Sequence, residues 1–324
     1  MKNKLIITAG LVLAGLQAMA QQEYPHYTMF MYNKLIYNPA YAGSKDVTSF
    51  NAAYRSQWVG INGAPQTLNF NVHGPVGSYK RAFRPVALGL TVSNESAGVV
   101  NNTDIAGIYA YRLKFDKTKT ILSLGVKAGM SVYSARLSDL NPKDGNDQKL
   151  NNGDIRNSVL PNFGVAAFWY NDKFYVGASV PNLLENYYDK DFKNTGNGVS
   201  AKQIRTYYIT GGYVFTINEN FRLSPQVLGR YAADSRYALP FNADINLSAI
   251  FYDRLMIGAT FRTDKSINGI VHVQATKNIN IGYSYDYAVS GLNGYNKGSH
   301  EVVVGFDLFR DKLKYVNPRF IKFF

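Results

Sequence analysis

The chain of 324 residues contains no cysteine, which excludes a disulfide framework and a thiolate metal site. Its four histidines, His26, His73, His272 and His300, lack close metal-ligand spacing, and no Gly-x-Ser-x-Gly elbow is present. Beyond the first twenty residues no long charge-free apolar run occurs, so a helical span of ~20 residues is ruled out there. Nothing calls for a cofactor or a metal. What is abundant is aromatic: 25 Tyr and 19 Phe in a chain of mean hydropathy −0.20. A soluble domain this aromatic would carry more aliphatic core.

The N-terminus reads as an export signal over residues 1–20. Lys2 and Lys4 precede an apolar stretch at 5–16, and Ala18-Met19-Ala20 is a small-residue cleavage pattern. Its loss would lower the net charge from +13 to +11. Outside the cytoplasm such a basic excess has no nucleic acid to meet. It suits anionic outer-membrane lipid or an acidic partner, and lysines that merely solvate turns would account for it as well.

Five short polar hops organise the rest: residues 116–120, Asn171-Asp172-Lys173, Asn218-Glu219-Asn220, Tyr252-Asp253-Arg254 and Lys277-Asn278. Each lies between segments with an apolar or aromatic residue at every second position. Phe241, Ile245, Leu247 and Phe251 alternate with Asn242, Asp244, Asn246 and Ser248, and Ile279, Ile281, Tyr283, Tyr285 and Tyr287 with Asn280, Gly282, Ser284 and Asp286. Period two is the strand signature. Fourteen such segments occur between residues 49 and 308. An even number of strands joined alternately by tight turns and roomy loops is the pattern of an all-β, antiparallel transmembrane barrel in an outer membrane. A soluble β-sandwich is also two-faced, but it needs neither aromatics at both strand ends nor such unequal connections. The expected layout is a signal peptide at 1–20, an N-terminal periplasmic arm at 21–46, a fourteen-stranded barrel at 47–309 and a C-terminal periplasmic tail at 310–324. The hops then face the periplasm, and residues 133–160, 181–204 and 288–299 form external loops. The connection at 74–84 is long for that side.

Four ordered motifs go further. Tyr37-Asn38-Pro39-Ala40-Tyr41-Ala42-Gly43 is followed by Arg55-Ser56-Gln57-Trp58-Val59-Gly60-Ile61 with Gly63-Ala64-Pro65, then Gly282-Tyr283-Ser284-Tyr285-Asp286 and Gly298-Ser299-His300-Glu301. From residues 21 to 309 the chain resembles the PorP/SprF family of Bacteroidetes outer-membrane proteins. The resemblance implies a non-enzymatic barrel of the type IX secretion and gliding apparatus. Its implied partners are a large secreted surface adhesin, bound by its C-terminal region, and the secretion machinery, together with outer-membrane lipid. A general diffusion porin or solute channel is the alternative.

Candidate partner-binding residues are Asn38, Pro39, Ala40, Tyr41 and Gly43, with Arg55 and Trp58. Proline removes a donor and glycine permits unusual dihedrals, so the same run also reads as a turn leading into the first strand. Residues 27–35 are read as a short helix in the barrel mouth that would make the arm a plug. Arg55, Arg112, Lys127, Arg222, Arg230 and Arg262 fall on the polar phase with Asp244, Asp286, Glu301 and Asp307. On the lipid face a midplane Arg or Lys would cost ~2–4 kcal/mol, so these charges belong in the lumen, paired with one another or tuning a channel. Ser299-His300-Glu301 is no hydrolase triad, because adjacent strand residues point to opposite faces. Asp144-Gly145-Asn146-Asp147 with Asn152-Gly153-Asp154 lacks the spacing of an EF-hand loop and reads as turn chemistry.

Overall fold

The computed structural model describes residues 26–78, 83–140, 154–188, 202–233, 241–263, 266–289 and 296–308. The expected signal peptide, the C-terminal tail and the Asp144–Asp147 turn lie outside them. Strands run β1 Thr48–Ser56, β2 Gln66–Pro75, β3 Val86–Ala97, β4 Val100–Phe115, β5 Thr120–Ala135, β6 Ile155–Tyr170, β7 Phe174–Val180, β8 Arg205–Tyr213, β9 Phe215–Asn218, β10 Phe221–Ala233, β11 Asn242–Phe251, β12 Leu255–Arg262, β13 Ser266–Gln274, β14 Ile279–Ala288 and β15 Ser299–Leu308. All neighbours pair antiparallel. β1 pairs with β15, and β10 with β11, which closes the sheet on itself. The register against β10 runs straight from Gly212↔Gln226 in β8 to Phe215↔Leu223 in β9. β8 and β9 are therefore two lengths of one barrel strand, and the wall has fourteen.

All five hops lie on one rim, and side chains explain their tightness. Asn171 Oδ1 accepts from the amides of Lys173 and Phe174, Asn218 Oδ1 from Asn220, and Thr276 Oγ1 from Asn278 and Ile279. Each side chain closes the turn that its own backbone begins. Tyr252 and Asp253 take φ of 51° and 54°, the left-handed pair that a two-residue hairpin turn needs. The opposite rim departs from expectation twice. β3 and β4 are joined by Gly98-Val99 alone, and β12 and β13 by residues 263–265. β3 to β6, at 12 to 16 residues, are also longer than the apolar alternation suggests.

Alternation holds around the wall. Leu68, Leu88, Leu124, Trp169, Ile209, Leu247, Ile257 and Tyr283 face outward and are exposed, as a lipid-facing belt requires. Asn69, Asn71, Ser123, Asn246, Thr260, Asn268 and Ser284 face inward and are buried. A run of apolar residues breaks this rule: Ala53, Ile108, Phe168, Tyr170, Leu228, Ile250, Met256, Ile270 and Val303 also point inward and are buried. They pack against the N-terminal segment. Residues 26–47, which include most of the expected arm at 21–46, pack in the lumen. The packing has a physical cause: Tyr27, Met29, Phe30, Leu35, Tyr37 and Tyr41 form two apolar clusters with those wall residues. Their burial removes apolar surface from water at about 25 cal/mol per Å².

Candidate functional site: the lumen plug and its two vestibules

The plug consists of turns over residues 28–32, a one-turn helix α1 at Lys34–Tyr37 and a 3-10 turn at Pro39–Tyr41. The short helix is thus placed later than the expected 27–35. Asn38 ends α1 and starts the next turn: its Oδ1 accepts from the Ala40 amide at 2.9 Å and its Nδ2 donates to the Ala167 carbonyl of β6 at 3.1 Å. Pro39, at the first position of that turn, needs no donor. The wall makes room with glycine. A Cβ on Gly125 would collide with the backbone of Pro39 and Ala40, and one on Gly177 would sit 2.7 Å from Asn38 Nδ2.

The upper end of the plug is held by charge. Arg55 of β1 reaches Asp286 of β14 at 2.5 Å and Glu301 of β15 at 3.4 Å. Thr28 sits between them. Its amide donates to Glu301 Oε2 at 2.6 Å, its hydroxyl to Asp286 at 2.7 Å, and Arg55 Nη1 donates to that hydroxyl oxygen at 2.8 Å. The lower end is clamped by a second arginine. Arg112 of β4 donates to the Gly43 carbonyl at 2.6 Å and pairs with Asp46 at 2.7 Å. Arg112 also donates to the Arg84 carbonyl, and Arg84 donates to the Asp46 carbonyl. Arg84 comes from the connection at 76–85, so its length serves the place where the plug leaves the barrel. Gly43, at φ +74° and in contact with Ala87, donates to His73 Nδ1 at 3.1 Å. Between these ends Tyr32 stacks on His272 with centroids 3.8 Å apart, Lys34 Nζ lies 4.5 Å over the Tyr175 ring, and Ser179 donates to the Tyr37 carbonyl at 2.7 Å.

The structure brings most of the sequence-selected residues together in this interior. Arg55, Arg112, Asp286 and Glu301 hold the plug. Arg230 and Arg262 share Asp244 at 2.7 and 2.9 Å. Arg222 pairs with Asp253 of the β11–β12 turn, and Lys127 contacts Asn182 at 3.5 Å. Asn38, Pro39, Ala40, Tyr41 and Gly43 are buried in the plug, where the wall takes up their surfaces. Trp58 stands apart on the rim opposite the five hops, at φ 43°, its amide donating to Ser299. Ser299 and Glu301 face inward while His300 faces out, its Nδ1 2.7 Å from Tyr283 Oη. Sequence reasoning missed Thr28, Asp46, Arg84 and His272. The one signal for them was the run of apolar residues on lumen-phase positions, which an open pore has no use for.

Two cavities flank the plug and share no lining residue. The outer one, about 50 Å³, is lined by Tyr37, Asn69, Ser93, Asp104, Lys127 and Asn182 among others. The inner one, about 60 Å³, is lined by Lys34, Lys45, His272, Gln274, Asn280 and Asp307 among others. Among the described residues no group of His, Asp or Glu is arranged to hold a metal ion.

The family model for the type IX secretion system membrane protein PorP/SprF matches residues 19–306. The chain belongs to the PorP/SprF family. Family and fold are those of an outer-membrane secretion barrel, not of an enzyme class. No curated protein matches the chain. Among solved structures it is similar to the outer membrane protein Omp33 of Acinetobacter baumannii, at 11% identity over 81% of this chain and 99% of that one, with a TM-score of 0.46. The KdgM porin gives 10% identity over 80% and 98%, with a TM-score of 0.36. A Rhodopseudomonas blastica porin variant gives 11% over 81% and 98%, with a TM-score of 0.34.

Proposed function

We propose that this PorP/SprF barrel holds the C-terminal region of a type IX-exported surface adhesin at its external side while its periplasmic side engages the secretion machinery. The observation that carries this reading is the plug. A lumen filled by residues 26–47 leaves the rims as working surfaces, whereas a diffusion porin works through an open one. Family membership supports the link to secretion, and the long connections at 136–154 and 181–204 supply external surface. The experiment is deletion of the gene followed by surface labelling of the large exported adhesins in intact cells. Loss of one adhesin from the surface, restored by the gene in trans, is expected. Display that is unchanged in the deletion strain would overturn the reading.

A further inference from the structure

We propose that the periplasmic mouth of the barrel is a receptor for an acidic polypeptide segment presented from the periplasm. This deepens the reading above by giving the periplasmic partner a chemistry, and it rests on the rim of short turns being the periplasmic one.

The two rims differ in charge. On the short-turn side the connections 76–85, 116–119, 171–173, 219–220, 252–254 and 275–278 carry a net side-chain charge of +4. The external connections 57–65, 98–99, 136–154, 181–204, 234–241, 263–265 and 289–298 sum to zero. Among the connections, the basic excess therefore belongs to one rim. Lys and Arg occur in the connections of both rims, but the external ones are balanced by Asp and Glu and the short-turn ones are not. A single-sign field at one mouth steers oppositely charged partners.

The inner cavity opens within that field. It lies at the short-turn ends of the strands: Asp307 is the penultimate residue of β15, Gln274 and Asn280 flank the 275–278 turn, and Ile250 and Met256 flank the 252–254 turn. Its charged lining is Lys34 and Lys45 against the one carboxylate of Asp307, which Lys45 meets at 3.1 Å. His272 is buried, bonds Asn280 through Nε2 at 3.1 Å, and leaves Nδ1 without a partner. Lys34 stands over Tyr175. About 60 Å³ accommodates a carboxylate group and a water or two.

The occupant follows from reach and sign. Phospholipid headgroups meet the outside of the rim, but acyl chains anchored beyond the wall keep them out of a lumen cavity. A polypeptide with clustered Asp or Glu reaches both the rim lysines and the cavity.

The test uses the full-length protein in nanodiscs of zwitterionic lipid, with fluorescent octaglutamate as probe and octaserine and inorganic phosphate as comparisons. Saturable octaglutamate binding is expected, weakening about tenfold from low salt to ~0.3 M. Lys34→Gln in the cavity and Lys117→Glu/Lys119→Glu on the rim should each weaken it about threefold or more, while the external pair Lys143→Glu/Lys149→Glu leaves it unchanged. The rim variant lies in an exposed turn and keeps the test decisive if Lys34→Gln fails to fold. Octaglutamate binding no better than octaserine, equal loss in the external control, or full displacement by millimolar phosphate would each overturn the assignment. Because the chain has no cysteine, Thr118→Cys with an impermeant maleimide separates the two premises. Labelling only after permeabilisation supports the orientation, so that absent binding then sinks the receptor alone. Labelling in intact cells sinks both.

Discussion

Arg55 and Asp286 meet at 2.5 Å inside the lumen although their strands, β1 and β14, are separated in the wall by β15. Their side chains are only 2% and 5% exposed. Glu301 of the intervening strand faces the same guanidinium, and Thr28 bonds all three groups. A plug residue is thereby fixed to three wall strands by charge-assisted hydrogen bonds, which are stronger and more directional than neutral ones.

Removing Arg55 would leave two buried carboxylates facing each other without a counter-ion. Arg55→Ala should destabilise the barrel by ~3–5 kcal/mol, the range for breaking a buried pair. Arg55→Ala/Asp286→Ala should cost less than the two single changes together. Denaturant unfolding in micelles, run as a double-mutant cycle, measures the coupling, and additive losses would mean that the contact contributes nothing.

A filled lumen should be electrically quiet. The intact protein in planar bilayers is expected to show no steady conductance, and a variant lacking residues 27–44 should open a pore. Stable ohmic conductance from the intact protein at low voltage would favour the channel reading.

Gly125 faces the lumen with its α-carbon against Pro39 and Ala40. Gly125→Leu forces side-chain volume into a packed contact and should cost ~1–3 kcal/mol. Gly269 has open space where a Cβ would stand and should accept Ala with little loss. Thermal unfolding of both variants, followed by heat-dependent gel mobility, distinguishes a specific contact from general intolerance to substitution.

Leu247 is 56% exposed on β11, while Asn246 beside it is buried in the lumen and donates to the Thr260 hydroxyl. Leu247→Arg should cost ~2–4 kcal/mol in a bilayer, the midplane penalty for arginine. In detergent micelles the same change should cost markedly less. Equal penalties in both environments would contradict a lipid-facing Leu247.

Much of this architecture was legible in the residues. Ile245, Leu247 and Phe251 against Asp244, Asn246 and Ser248 gave the phase of β11, and Asn171, Asn218 and Thr276 carry the side chains that close their turns. Other parts were not. β4 begins at Val100, yet apolar alternation starts only near Tyr109, because Asn101, Asn102, Thr103 and Asp104 lie at its end opposite the five hops, beyond the apolar belt. β6 likewise starts at Ile155, well before Phe163. The Gly98-Val99 turn went unread because Asn94, Glu95 and Ser96 before it and Asn101, Asn102 and Thr103 after it are polar on both faces.

Local chemistry alone determined the rhythm of the wall, the count of fourteen strands and the lumen side of Arg55, Arg112, Arg222, Arg230 and Arg262, since a two-residue repeat and the cost of charge in hydrocarbon act residue by residue. Where residues 26–47 go was decided only in three dimensions. Their apolar side chains could have covered any face, and the partners that hold them, Arg55, Asp286, Glu301, Arg112 and Arg84, are brought together only when the sheet closes. A contact between Thr28 and Glu301 spans 273 positions, a distance over which no local pattern carries information.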